Sequence, residues 1–298
     1  MKAEAPKKQG EIIMKTENKT GCADIKLWEN GTPGFLPEYG QPETTFTPYF
    51  LENGAKDNAC VIVCPGGAYS GRAYHEGEPI ARMLNEKGVS AVVLNYRVFP
   101  YKYPFITEDL LRTIRFLRHH AADYGLDPKK IGVLGFSSGG HLAASSLCCF
   151  DYGKQDDADP IEKESSRPDF AVLCYAVISF DKYMHENSRI RLIGGLPDEA
   201  QLAVRLSPEL SVREDTPPVF LWHTMDDEGV DARNSLNYAL ALRSHNIPCE
   251  LHIFQHGHHG VGLAADYHNV WQWPELLSNW MIENGWISQI PSSKNEIG

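Results

Sequence analysis

Ile131-Gly132-Val133-Leu134-Gly135-Phe136-Ser137-Ser138-Gly139-Gly140-His141-Leu142-Ala143-Ala144 decides the reading of this chain. Four residues with two β-branched side chains read as a strand, and Ser138–Phe150 reads as a helix. Between them stands Gly135-Phe136-Ser137-Ser138-Gly139, a G-x-S-x-G pattern. Directly after a strand and before a helix, that pattern predicts a sharp, strained turn with the Ser137 hydroxyl at its tip. The flanking glycines let strand and helix approach closely. A helix N-terminus beneath the hydroxyl favours negative charge developing there.

Outward from this turn the chain alternates short apolar runs with helical patterns. Strands are expected at Cys60–Cys64, Ser90–Tyr96, Ile131–Gly135, Phe170–Ala176, Val219–His223 and Cys249–Phe254. Helices are expected at Gly77–Lys87, Ile106–Tyr124, Ser138–Phe150, Asp231–Ser244 and near Trp271–Asn284. Strands apolar on both faces and separated by helices predict an α/β fold: a mostly parallel central sheet with helices on both faces. Only 178–218 breaks the alternation, and a small cap is expected there. Residues 1–45 read as an N-terminal leader, extended or partly mobile, with Pro33, Pro37 and Pro42 in its second half. Residues 46–298 read as the catalytic domain.

A serine hydroxyl needs an oriented base. On a sheet carrying this kind of turn the partners follow in chain order, acid before histidine. After the run Val219–His223 come Asp226 and Asp227, and after Cys249–Phe254 come His256, His258 and His259. Both groups fall just past successive strands, on one rim. His259, within Gly257-His258-His259-Gly260, is the preferred base. Asp231 reads as the cap of the following helix. His256 and His258 are spaced closely enough to suggest a metal, but no carboxylate or cysteine accompanies them at ligand spacing, so neither metal nor organic cofactor is expected. Pro65-Gly66-Gly67-Ala68-Tyr69 follows the first strong strand, where its N–H groups could face a substrate carbonyl. The expected donors are the N–H of Ser138 and one from Gly67 or Ala68. The loop has neither G-x-G-x-x-G spacing nor a Walker lysine, which ranks phosphate binding low.

Composition narrows the partners. A formal charge of −11 without a basic stripe disfavours nucleic acid and anionic membranes. The 7 cysteines are an odd number and scattered, which fits thiols in a reducing compartment. No run of about 18 apolar residues predicts a membrane span, and Met1–Lys15 has no apolar stretch resembling a signal, so a cytoplasmic location is expected. A homo-oligomer is left open.

Together these segments resemble the acetyl xylan esterase-like carbohydrate esterases, in the hormone-sensitive-lipase-related branch of the α/β-hydrolases. The resemblance runs from about Phe46 to Trp286 and lies in Val61–Tyr69, Gly77–Ala81, Val93–Arg97, Gly135–His141, Phe220–Thr224 and His252–Phe254. It implies a Ser-His-Asp serine esterase that removes acetyl groups from acetylated xylan or xylo-oligosaccharides. The D-x-x-V turn common in such enzymes selects Asp227, which stands three residues before Val230, with Asp226 as the alternative acid. Two departures stand out. Ala68 takes the place of a usual third glycine, which predicts some crowding, and Asp231 takes the place of a usual proline. Tyr69, Tyr74 and Trp222, with Tyr183 and Met184 in the cap, are candidate surfaces for a sugar ring. A general short-chain carboxylesterase, an amidase or peptidase of the same fold, and a non-catalytic binding protein are the competing readings. The polar stretch Asp181–Glu214 argues against a lipase lid.

Overall fold

Leu126–Phe136 forms the central strand of the protein, β5 in the order of the chain. The computed structural model describes residues 23–51 and 56–288. The other strands are β1 (Ile25–Lys26), β2 (Thr45–Tyr49), β3 (Asn58–Cys64), β4 (Ser90–Asn95), β6 (Phe170–Cys174), β7 (Val219–Thr224) and β8 (Cys249–Phe254). They make an 8-stranded sheet in the order β1-β2-β4-β3-β5-β6-β7-β8. From β4 to β8 every neighbouring pair is parallel.

The side-chain period of 2 along these strands divides the core in two. Ile62, Val92, Leu94, Val133, Leu173 and Leu221 face one way. There they pack with α2 (Phe105–His119), α3 (Ser137–Cys149) and α6 (Arg233–Ser244). Val61, Val63, Val93, Leu134, Val172 and Trp222 face the other way, against α1 (Glu78–Glu86) and α7 (Trp273–Glu283). Apolar runs without alternation are therefore what a strand covered on both faces requires. The strand ends that lead to Gly66, Ser137, Tyr175, Asp227 and the loop after β8 all lie on one edge of the parallel sheet.

The expected leader needs correction from residue 23 onward; its earlier part lies outside the described residues. β2 pairs antiparallel with β4, and β1 pairs antiparallel with β2. No strand was expected here; β1 reaches only Thr45 and Phe46, so Pro48 stands where β2 is the sheet edge and needs no second ladder partner. The connecting chain is pinned as well. Leu27 is buried in the core, the Arg112 guanidinium donates to Leu27 O, and Arg97 donates to Pro33 O at 2.7 Å. Arg97 is itself buried and paired with buried Asp109 at 2.7 Å, and its guanidinium lies over the rings of Tyr101 and Phe105.

Between β6 and β7 the expected break in alternation holds α4 (Glu186–Ile193), α5 (Glu199–Arg205) and a single turn at Pro208–Leu210. Among the described residues no helix is long and apolar enough to cross a membrane. The described cysteines, Cys60, Cys64, Cys148, Cys149, Cys174 and Cys249, are free thiols.

Candidate active site

Ser137 begins α3 with φ 52°, a left-handed conformation that a side-chain-bearing residue holds at a cost of roughly 1–3 kcal/mol. The turn around it is tight. A Cβ on Gly135 would lie 2.1 Å from Gly139 O, and one on Gly139 would lie 2.1 Å from Cys64 O. Small residues at these two places let α3 start directly against β5 and the end of β3. The peptide of Ser137 is held from below, its carbonyl accepting from Val177 N at 3.0 Å.

Ser137 Oγ donates to His259 Nε2 at 2.8 Å, and His259 Nδ1 donates to Asp227 Oδ2 at 2.8 Å. Three residues separated by up to 122 positions thus form one hydrogen-bonded line. The Asp227 carboxyl has no exposed side-chain surface. Its other oxygen accepts from the N–H groups of Gly229 and Val230, each at 2.8 Å, which is the work of the D-x-x-V turn. Buried His223 adds a further contact: its Nε2 donates to Val230 O at 2.9 Å and lies 3.3 Å from Asp227 Oδ2, while Ser235 Oγ holds Nδ1 at 2.8 Å. Burial by itself pushes the Asp227 carboxyl up, but the bonds from His223, His259 and Val230 outweigh it and hold the group well below the usual carboxylate range.

Asp226 is placed differently. It is exposed, and its carboxyl accepts from Gly257 N at 2.8 Å and pairs with His256 Nδ1 at 2.9 Å. His258 bonds the carbonyl of His259 and stays exposed. Neither histidine reaches Ser137, and among the described residues no group of three or more metal-ligating side chains gathers.

The loop after β3 is organised peptide by peptide. A trans peptide points its N–H opposite its C=O. Gly66 O accepts from Ala73 N at 2.8 Å, and Gly67 O accepts from Ser70 N at 2.9 Å. The N–H groups of Gly67 and Ala68 are thereby turned the other way. Ala68 and Tyr69 both take left-handed conformations, with φ 52° and 57°. The missing glycine at 68 is accommodated by that strained backbone, and Arg191 from α4 clasps Ala68 O at 3.0 Å. Tyr69 N then donates to Ser138 Oγ at 3.3 Å, which ties this loop to the start of α3.

A strained serine, a paired imidazole, a buried carboxyl and an adjacent loop of turned N–H groups are the parts acyl transfer needs. Residues 49–242 match the family described as BD-FAE. The chain belongs to the BD-FAE family. Its fold is the α/β-hydrolase fold. The crystal structure of an acetyl ester-xyloside bifunctional hydrolase from Caldicellulosiruptor lactoaceticus is 47% identical, with a TM-score of 0.85 over 89% of this chain and 97% of that one. The BD-FAE chain is also similar to endo-1,4-beta-xylanase B of Butyrivibrio fibrisolvens, at 34% identity over 85% of this chain. It is 31% identical to the acetylxylan esterase of Xylanibacter ruminicola over 83% of its own length. The chain spans 39% and 48% of those two curated relatives.

Two of the aromatic residues proposed for substrate contact require correction in this BD-FAE protein. Trp222 is completely buried; it stacks on Trp273 at 5.4 Å and meets Tyr175 edge-on at 5.0 Å. It lies on β7, a strand covered on both faces, and has no face to offer a sugar. Tyr69 is buried too, its hydroxyl donating to His141 Nδ1 at 2.7 Å while His141 Nε2 donates to Leu206 O at 2.7 Å. Tyr74, Tyr183 and Met184 remain exposed. Sequence reasoning passed over Glu76, Tyr175, His141, Arg191 and His223. His141 and His223 stood within quoted motifs, and the absence of exposure was the missing signal.

Two predictions arise here. A Cβ on Gly229 would lie 2.7 Å from His259 Cγ, inside the imidazole that Asp227 must hold. Gly229→Ala is expected to lower kcat by about 100-fold through misplacement of the base, with the urea midpoint little changed. An unchanged kcat would mean that the ring has room to move. The second concerns His141, whose burial depresses its pKa to about 4, below the ordinary 6.5. Between those values the unfolded chain takes up a proton that the folded protein refuses, so stability is full above about pH 6.5 and is lost as pH falls towards about 4. The loss approaches about 1.4 kcal/mol per pH unit. Urea titrations at pH 7 and pH 5 should show it in the wild type and show less of it in His141→Gln; equal losses would reject the assignment.

Proposed function

We propose that this protein is a serine esterase that removes acetyl groups from acetylated xylan or xylo-oligosaccharides. The unbroken line from Ser137 Oγ through His259 to Asp227, at 2.8 Å for each bond, carries the chemistry. Similarity over nearly the full length of an acetyl ester-xyloside hydrolase supports the substrate.

In the first step the Ser137 hydroxyl gives its proton to His259 Nε2 as Oγ bonds to the acetyl carbonyl carbon. Charge collects on the carbonyl oxygen, where Ser138 N–H and the N–H of Gly67 or Ala68 receive it. The carbon–oxygen bond to the sugar then breaks, and His259 protonates the departing sugar oxygen. In the second step water loses a proton to His259, attacks the acetyl-serine, and acetate leaves as Ser137 recovers its proton. Asp227 keeps the imidazole in the tautomer with hydrogen on Nδ1 and stabilises it when charged. No step calls for a metal or an organic cofactor.

Residues 46–298 serve as the catalytic domain in this reading, with 178–218 as a small cap. That cap supports the sugar, because Tyr183 and Met184 are 40% and 41% exposed and Arg233 covers one face of the Tyr183 ring at 3.8 Å. Tyr74, 51% exposed beside the oxyanion loop, is the other available surface. A cytoplasmic location would suit imported short oligosaccharides better than the intact polymer.

The test is acetate release from acetylated xylo-oligosaccharides, with p-nitrophenyl acetate and p-nitrophenyl butyrate alongside. Release from the oligosaccharides is expected, together with kcat/KM for the acetyl ester at least about tenfold above the butyryl ester. Turnover of the nitrophenyl esters alone would leave a short-chain carboxylesterase and remove the xylan assignment.

A further inference from the structure

Glu76 is 2% exposed, and no step of the mechanism uses it. Burying a carboxyl costs several kcal/mol unless its oxygens find donors. Here both do, and the donors belong to different parts of the site. Gly66 N, in the oxyanion loop, donates to Oε2 at 2.7 Å, and the Tyr175 hydroxyl donates to Oε1 at 2.7 Å. Burial and the adjacent Glu76 push the Tyr175 phenol well above its ordinary value, so its proton stays in place for that bond.

Tyr175 passes the connection on. It directly follows β6, its own N–H donates to Trp222 O at 2.8 Å, and its backbone takes φ 35°. Its hydroxyl oxygen accepts from Gly262 N at 2.9 Å, in the loop that carries His259. The ring meets the His259 imidazole edge-on at 5.2 Å. His75, next to Glu76, adds a parallel tie by bonding Gly260 O through Nε2 at 2.8 Å. The oxyanion loop is also fitted closely to the carboxyl: a Cβ on Gly66 would lie 2.8 Å from Glu76 Oε2 and 2.8 Å from Phe136 O.

We propose that Glu76, acting through Tyr175, is a positioning residue that sets the oxyanion donors against His259. The inference rests on the serine-esterase reading. In the transition state the carbonyl oxygen must meet the donors of one loop while the leaving oxygen meets the histidine of another. Among the described residues Glu76 and Tyr175 join those loops through buried, partnered side chains, and His75 adds an exposed tie beside them. A displacement of either loop weakens bonds made chiefly in the transition state, so kcat falls and substrate binding does not.

The experiment compares wild type, Ser137→Ala, Glu76→Gln, Tyr175→Phe and the double variant Glu76→Gln/Tyr175→Phe. Hydrolysis of p-nitrophenyl acetate is measured beside the Ki of a short alkyl boronic acid, which forms a tetrahedral adduct with an active serine. Tyr175→Phe keeps the ring and loses one oxygen, so it tests the connection even if Glu76→Gln fails to fold. Each single variant is expected to lose about 10- to 100-fold in kcat, with KM within about threefold. The boronate Ki should rise by the same factor as kcat falls, and the double variant should be no worse than about threefold below the poorer single one. A lowered melting temperature with kcat and Ki unchanged would reduce Glu76 to a packing role and overturn the proposal. Losses that multiply in the double variant would overturn the connection through Tyr175. An inactive wild type, or a Ser137→Ala protein that keeps its activity, would instead remove the esterase reading and the positioning role with it.

Discussion

Ser137→Ala should lower kcat by about five to six orders of magnitude and leave KM within about threefold. In the proposed mechanism the hydroxyl is the group that bonds to the acetyl carbon, and His259 and Asp227 act only through it. Without Oγ the N–H groups of Ser138 and the Gly67–Ala68 turn still polarise a bound ester, so a residual activity about 10³- to 10⁴-fold above water is expected. Stability should change little, because Ser137 is 7% exposed and alanine keeps the same Cβ in the same φ 52° turn. The measurement is kcat on p-nitrophenyl acetate, with covalent labelling by a fluorophosphonate as a second readout. A variant that still labels, or that keeps more than about a hundredth of wild-type kcat, would remove Ser137 from the reaction.

Asp227→Asn and Asp226→Asn should separate by about three orders of magnitude or more. At 227 an amide would present N–H groups to His259 Nδ1 and favour the tautomer with hydrogen on Nε2, which cannot accept the Ser137 proton. A loss of about 10⁴ in kcat is expected from that change. The acceptor lost is Oδ2, which faces His259 and lies 3.3 Å from His223 Nε2, while Oδ1 keeps its bonds from Gly229 N and Val230 N. At 226 the change weakens one exposed, solvent-screened pairing with His256, and kcat should stay within about threefold. Equal losses at both positions would mean that the neighbouring Asp226–His256 pair also orients the loop of His259. A larger loss at 226 would overturn the assignment of the acid.

The contrast between these two aspartates shows how far sequence reaches. Both stand past β7 within one residue of each other, and three histidines stand past β8 within four positions. Residue type and chain order narrow the pairs to a few. Which carboxyl turns inward depends on the N–H groups of Gly229 and Val230 and on buried His223, a histidine brought there by the strand itself. The aromatic residues show the same divide from the other side. Trp222 and Tyr69 are large, and their rings suit a sugar, but exposure is a property of the whole assembly, and both lie inside it.

By itself the sequence determined the parallel sheet, the serine turn and the short set of candidate partners. The cause is local: apolar runs that need cover on both faces, a G-x-S-x-G pattern set directly between a strand and a helix, and loops that fall on one edge of such a sheet. Tertiary structure alone decided the rest. It set the preferred Asp227 against the preferred His259, folded residues 23–45 onto the sheet edge behind Pro48, and joined Gly66 to Gly262 through Glu76 and Tyr175. Such contacts run between segments up to 99 residues apart in the Glu76–Tyr175 pair. Hydrogen bonding and burial there depend on the meeting of several elements, and no periodicity within one segment records it.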